Sequence, residues 1–222
     1  ARSAGISAIV GVPGLYVAMV NGIEARVKQR GWLARTPFSG LLSLSVWICR
    51  TFGVRIGRLL FAPLHREFGG KLRVLSSGGA KLDPEVAWKL EGLGWRVLTG
   101  YGLTETAPIL TFNAPRYARI GTEGKPIPGV KLRTVPVEGS EFGEIIASGP
   151  SVFSGYLDNP DANAEAFAEP GWFRTKDLGF VDEDGKFILT GSDVSGQQVR
   201  LRGADGITFT AAGKQKLAFY VE

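Results

Sequence analysis

Apolar residues fall along the chain in two textures, one with runs broken by helical spacing and one with short alternation broken by turns. Ser7 to Val12 is a short apolar run closed by Pro13-Gly14, which predicts a buried strand. From Leu15 the apolar residues Tyr16, Met19, Val20, Ile23 and Val27 keep helical spacing, so Pro13 opens a helix that ends near Gly31. Residues 31–70 continue as an arginine-rich helical region. Leu72 to Ser76 then predicts a strand, and Ser77-Gly78-Gly79-Ala80 a glycine turn. Asp83-Pro84-Glu85 supplies an N-cap with proline at the first helical position. That helix ends around Gly92 and Gly94, Trp95 to Thr99 is the next strand, and Gly100 to Thr106 follows it directly. The succession is a β-α-β unit. It places two glycine-containing loops at the carboxyl ends of neighbouring parallel strands, where open α/β sheets bind ligands.

Beyond Pro115 the texture is that of a β-rich part. Lys131–Val135 and Glu144–Ser148 alternate as strands. Asp161–Phe167 reads as one short helix, and Trp172–Val181 and Lys186–Thr190 flank the turn Asp182-Glu183-Asp184-Gly185. Gln197–Arg202, Ile207–Thr210 and Leu217–Val221 read as further strands. The expected organisation is therefore α/β over 1–115, β-rich over 116–191, and a separate β-rich tail over 192–222.

Composition narrows the class. Of 222 residues, 44% are apolar and 21% charged, which is ample for a core and excludes a disordered chain. The single cysteine, Cys49, cannot close an internal disulfide or build a cysteine-based zinc site, which suits a reducing, cytoplasmic compartment. The chain starts at Ala1 and its single methionine is Met19, so it is expected to be a piece of something larger.

The net charge of +5 is unevenly placed, with nine Lys/Arg against Glu24 and Glu67 in the first 70 residues. A solvated basic face or an anionic small-molecule or lipid partner fits this. Nucleic acid fits it least, because no interleaved run of aromatic and basic residues appears there. The run Leu41 to Cys49 is far short of the roughly twenty apolar residues of a spanning helix. It reads as an ordinary packed helix, or as one lying on a bilayer surface with Arg50, Arg55 and Arg58 toward headgroups. The first residues, interrupted by Gly5 and Pro13, do not read as a signal peptide. His65 has no nucleophile or carboxylate at a catalytic spacing.

Four segments carry candidate chemistry. Gly100-Tyr101-Gly102-Leu103-Thr104-Glu105-Thr106 puts freed backbone N–H groups, a threonine hydroxyl and a carboxylate in one loop, a combination suited to phosphate oxygens and Mg²⁺. Gly78, Gly79 and Ala80 leave room for a flat ring against the main chain, or form only a tight turn. Asp177, in a strand otherwise apolar or basic, can accept two hydrogen bonds from a ribose diol or pair with Arg174 or Lys176. Gly143 to Pro150 and Gly155-Tyr156 read as a hairpin and a turn, structural by default.

In this order the segments resemble the adenylate-forming superfamily of acyl-CoA synthetases, luciferases and peptide-synthetase adenylation domains. The resemblance covers about residues 5–191. It rests on Ser-Gly-Gly-Ala at 77–80, Tyr-Gly-Leu-Thr-Glu-Thr at 101–106, Gly-Glu-Ile-Ile at 143–146, Gly-Tyr at 155–156 and Trp-Phe-Arg-Thr-Lys-Asp-Leu-Gly at 172–179. The long segment between Tyr16 and the Ser-Gly-Gly-Ala turn looks most like the long-chain fatty acyl-CoA synthetase branch.

The resemblance implies an α/β fold, namely part of the adenylate-forming N-terminal domain followed by its β-rich subdomain. It implies ATP/AMP and Mg²⁺ as cofactors, CoA as co-substrate, and a fatty acid or other carboxylic acid as substrate. Gly78, Gly79 and Ala80 would border adenine and the acyl end of the adenylate, and Tyr101, with Gly102, would lie against adenine. Thr104 would bind the α-phosphate, Glu105 would hold Mg²⁺, and Asp177 would take the ribose hydroxyls.

The chain departs from the family in three places. It contains no Thr-Ser-Gly-Thr-Thr-Gly triphosphate loop, it has Lys176 where the family usually has glycine, and it has Ser192-Asp193 after Leu189-Thr190-Gly191 where a hinge arginine is expected. The expectation is a synthetase segment inactive by itself. The alternative is a non-catalytic module that binds AMP or acyl-adenylate or a membrane surface.

Overall fold

The computed structural model describes residues 5–167 and 169–193. These divide into two compact units: residues up to 78 with 82–98, and 79–81 with the residues from 99 onward. The expected strands beyond 193 lie outside the described residues.

The first unit contains β1 (Ala8–Gly11), α1 (Pro13–Gln29), α2 (Trp32–Phe52), the short helices α3 (Gly57–Leu60) and α4 (Ala62–Glu67), β2 (Val74–Ser77) and α5 (Pro84–Gly92). β1 and β2 pair in parallel, with Ala8 opposite Val74 and Gly11 opposite Ser77. The helical spacing read from the sequence becomes a buried face, since Tyr16, Val20 and Ile23 line one side of α1. Tyr16 joins the two strands: its hydroxyl donates to the Ser76 carbonyl at 2.7 Å, with the Ile9 carbonyl at 3.1 Å. Burial pushes its pKa up to about 12, so it stays a donor. Asp83 caps α5 as expected, its carboxylate accepting from the Glu85 N–H at 2.8 Å.

The core of this unit is built around Leu72, Leu75, Leu90, Leu93 and Trp95, each almost fully buried and each worth about 1.5–3 kcal/mol by burial. His65 belongs to it. Its Nε2 lies 2.8 Å from the Leu93 carbonyl, its ring stands 4.8 Å from that of Trp95, and burial lowers its pKa. α2 buries Leu42, Ser45 and Cys49, and Ser45 donates to the Gly92 carbonyl at 2.7 Å.

The arginines of this region, read as part of a packed helix or as facing headgroups, are engaged by the protein. Arg55 donates to the buried Glu91 carboxylate, and Arg58 donates to the carbonyls of Leu72 and Gly70. Arg50 pairs with Glu85 and lies 4.7 Å over the Trp88 ring. The reason is local: the chain turns after α2, and its carbonyls and Glu91 need donors there.

β3 (Arg96–Tyr101) starts in the first unit, where the Arg96 N–H donates to the Arg73 carbonyl, and its last residues belong to the second. There Gly100 and Tyr101 pair antiparallel with β4 (Thr111–Phe112), which pairs in turn with β5 (Lys125–Pro126). β6 (Lys131–Pro136), β7 (Gly143–Ser148), β8 (Phe173–Val181) and β9 (Phe187–Asp193) form a four-stranded antiparallel sheet. α6 (Pro160–Ala166) starts one residue before its sequence expectation, because Asn159 accepts the Ala162 N–H and Pro160 follows as the first helical residue. The β8–β9 turn is closed by two backbone hydrogen bonds, from the Gly185 N–H to the Asp182 carbonyl and from the Asp182 N–H to the Lys186 carbonyl, both at 2.9 Å. Tyr101, Leu110, Val130, Ile145, Ala147 and Phe187 form the core of this unit.

Candidate functional site

The loop after β3 is shaped by close backbone packing. A Cβ at Gly102 would lie 2.1 Å from the Pro108 carbonyl oxygen, so only glycine lets the loop pass there. Thr104–Thr106 then form one 3₁₀ turn. Of its two threonines, Thr106 is fully buried and serves the turn, accepting from the Leu103 N–H and donating to the Leu103 carbonyl, both at 2.9 Å. Thr104 is exposed. Glu105 is buried; its backbone carbonyl accepts from the Phe153 N–H at 2.8 Å, and its carboxylate from the Tyr156 hydroxyl at 3.2 Å. Ala107 ends the turn at φ +52°, a left-handed conformation unfavourable for a residue with a Cβ.

Asp177 sits in an irregular stretch of β8. The pairing register shifts on both sides of it, and Lys176 has φ +60°. Glu144, buried in β7, organises this bulge: it accepts two donors of Arg174 and, at 3.2 Å, the Lys176 N–H. Lys176 reaches Glu165 at 2.5 Å. The two cations weighed as ion-pair partners for Asp177 are thus matched to other carboxylates, and Asp177 accepts from the Tyr101 hydroxyl at 2.8 Å. Burial first, and then the Asp177 charge, hold the Tyr101 phenol well above its ordinary pKa, so it remains a donor.

The segments 101–106 and 173–177, far apart in sequence, are therefore brought together within one unit through Tyr101. Sequence reasoning did not find that contact, and it read the Gly143-Glu144 and Gly155-Tyr156 segments as hairpin and turn, structural in role. Both send a side chain into this network.

Gly79 and Ala80 are exposed in the same unit, beside Lys81, which donates to the Leu189 carbonyl at 2.7 Å. Gly78 belongs to the first unit, its N–H donating to the Gly11 carbonyl at 3.1 Å. Glu123, buried in the second unit, has its pKa raised to about 7 by burial, partly offset by the charge of Lys81.

No cluster of three or more His, Cys, Asp or Glu that could cage a metal occurs among the described residues. Glu105 with exposed Thr104 instead makes the sparse oxygen set that suits Mg²⁺, which takes one or two carboxylates and completes its shell with phosphate and water. The exposed Thr104 hydroxyl, the Glu105 carboxylate and the Asp177 carboxylate thus stand in the same unit, the last held by Tyr101.

Residues 2–157 match the family of AMP-binding enzymes. The chain belongs to that family. A second match, to a protein of unknown function (DUF459), covers residues 161–222. The chain is 42% identical over 134 residues to the long-chain-fatty-acid–CoA ligase FadD15 of Mycobacterium bovis, a match over 60% of this chain and 21% of that protein. With long-chain-fatty-acid–CoA ligase 2 of Schizosaccharomyces pombe it shares 32% identity over 186 residues, 78% of this chain and 27% of the relative. A malonyl-CoA ligase crystallised as a ternary product complex with methylmalonyl-CoA and AMP superposes with a TM-score of 0.56 at 29% identity. That match covers 86% of this chain and 35% of the ligase. The chain therefore spans between a fifth and about a third of the AMP-binding relatives it matches.

Proposed function

We propose that this chain is the part of an AMP-forming acyl-CoA ligase that binds the adenylate. The whole enzyme converts a carboxylic acid, most closely a long-chain fatty acid, with ATP and CoA into acyl-CoA, AMP and pyrophosphate. In the first step a carboxylate oxygen of the acid attacks the α-phosphorus and the P–O bond to pyrophosphate breaks. In the second, the CoA sulfur attacks the acyl carbonyl, the C–O bond to AMP breaks and the thiol proton is lost.

The observation that carries this reading is the 2.8 Å hydrogen bond from Tyr101 to Asp177, which ties the ribose carboxylate to the loop bearing Thr104 and Glu105. Asp177 takes the ribose hydroxyls, as a carboxylate can accept two hydrogen bonds from a diol. Gly79 and Ala80 border adenine and the acyl end. Tyr101 contributes its ring edge and holds Asp177, since its ring is mostly in the core. Thr104 donates to an α-phosphate oxygen, and Glu105 would hold Mg²⁺. When bound, the ion neutralises the charge that builds on the phosphate oxygens. The residues of this chain bind and align, and adenylation by this chain alone is not expected.

A non-hydrolysable acyl-AMP analogue raises the melting temperature of the chain on this reading, and Asp177→Ala removes the rise. Absence of a shift with the intact chain would sink it. Pyrophosphate exchange by the chain alone would overturn the binding-only part.

A second reading, contact with a membrane surface, is favoured by one observation. On the side of α2 away from Leu42, Ser45 and Cys49, the residues Leu41, Leu44 and Trp47 are exposed, with Phe52 at its end. No helix among the described residues is long and apolar enough to cross a membrane, so the contact is interfacial. Sedimentation with phosphatidylserine vesicles that survives Trp47→Ala with Leu44→Ser would exclude this face.

A further inference from the structure

The turn Gly155-Tyr156 is built around one side chain of α6. Asn163 accepts the Tyr156 N–H at 2.6 Å through its Oδ1 and donates its Nδ2 to the Tyr156 carbonyl at 2.9 Å, gripping both polar groups of one peptide residue. Gly155 makes room for the grip. It has φ +142°, and a Cβ there would lie 2.8 Å from the same Asn163 oxygen. α6 is anchored in turn by its own cap, Asn159.

The ring of Tyr156 is fixed as firmly as its backbone. It meets Phe153 edge to face at 4.7 Å, and Phe153 packs on Phe167 and Phe173 at 5.5 and 5.4 Å. From this mount the phenol donates to Glu105 Oε1 at 3.2 Å, while the Phe153 N–H holds the Glu105 backbone carbonyl at 2.8 Å. Side chain and main chain of Glu105 are thus both oriented from the segment 153–156, about fifty residues away in sequence.

A turn that needed only to reverse the chain would need neither a two-point clamp nor a phenol aimed at a buried carboxylate. We propose that Tyr156 is a positioning residue for Glu105, and that Asn163 is the clamp that keeps Tyr156 in reach. By donating to Oε1, the phenol holds one oxygen and leaves the other to point at a cation, the arrangement by which neighbouring hydrogen bonds orient metal-binding carboxylates. The inference rests on the reading of Glu105 as the Mg²⁺ ligand, and it adds two residues outside the loop that carries that ligand.

The test uses the full chain with AMP present and Mn²⁺ as the probe for the Mg²⁺ site, followed by water-proton relaxation. Glu105→Gln is expected to abolish the tight Mn²⁺ site. Tyr156→Phe, which keeps the aromatic packing, is expected to weaken it roughly tenfold at nearly unchanged melting temperature. Added to Glu105→Gln, Tyr156→Phe should have no further effect on Mn²⁺, because it acts through that carboxylate. Asn163→Ala should weaken Mn²⁺ in the same direction, and it decides the matter if Tyr156→Phe fails to fold. Wild-type Mn²⁺ affinity in Tyr156→Phe, with Glu105→Gln still disabled, would overturn the positioning role alone. Equal affinity in wild type and Glu105→Gln would remove the metal reading of Glu105, and the positioning role with it.

Discussion

In the first unit the buried carboxylate of Glu91 is met from three sides, by Arg55, by the Val97 N–H at 2.8 Å and by the Cys49 thiol at 3.7 Å. In the second unit the buried carboxyl of Glu123 has its pKa raised to about 7, and Glu105 and Asp177 each hold a tyrosine hydroxyl. The backbone differs in the same sense. The three non-glycine residues with left-handed φ among the described residues, Ala107, Asp158 and Lys176, all lie in the second unit. Each sits within two residues of Glu105, Tyr156 or Asp177. Strain of this kind costs about 1–3 kcal/mol per residue and persists where surrounding structure holds it. The first unit uses its buried polar groups to complete the fold, and the second keeps Glu105, Asp177 and strained backbone together in the adenylate site we propose.

The contrast can be broken most forcefully at Glu91. Glu91→Ala leaves the Val97 N–H and the Arg55 guanidinium without their acceptor and should cost about 3–5 kcal/mol in urea denaturation. Asp177→Ala should cost much less stability while removing the response to the acyl-AMP analogue. If the two variants lose stability equally, the division of labour between the units is wrong.

Next in size is an opposite dependence on pH. The folded pKa of Glu123 is raised, so its contribution to stability is full below about pH 4.5 and is lost as pH rises to about 7. Glu123→Gln should therefore gain up to roughly 3 kcal/mol over the wild type at pH 8 and flatten that slope. His65 works the other way. Its folded pKa is depressed, so its contribution is present above about pH 6.5 and lost as pH falls. His65→Phe should flatten the acid side alone, read from unfolding curves across the pH range.

Tyr101→Phe is a smaller perturbation. It removes one buried hydrogen bond to a charged acceptor, about 1.5–3 kcal/mol, and should weaken analogue binding by removing a contact that orients Asp177. Smallest of all is Lys176→Gly. Relief of the left-handed backbone, less the greater freedom of glycine in the unfolded chain, should raise stability by about 0.5–1 kcal/mol. Loss of the half-exposed pair with Glu165 takes little away from that gain. A fall in melting temperature on Lys176→Gly would mean that the lysine side chain does more than tolerate its backbone.

Much of this protein was legible before any coordinates. Pro13 and Asp83-Pro84 marked helix starts, the spacing of Tyr16, Val20 and Ile23 marked a buried face, and the order of glycine loop, Thr-Glu loop and Asp177 strand marked the family. Whether Arg50, Arg55 and Arg58 face headgroups or the protein was left open between two readings, because a positive charge in sequence carries no mark of whether a carbonyl or Glu91 waits for it. Gly155-Tyr156 and Glu144 were passed over as turn and strand residues for the same reason.

Local signals are written in neighbours three or four residues apart, and those the sequence determined: where helices begin, which of their faces are apolar, and which residue types stand in the binding loops. Pairings such as Tyr101 with Asp177, Tyr156 with Glu105 and Glu144 with Arg174 join residues 30 to 76 positions apart, and only the tertiary structure decided them. Each forms because burial takes a carboxylate away from water, and the fold must then supply a donor from whatever strand or turn lies within reach.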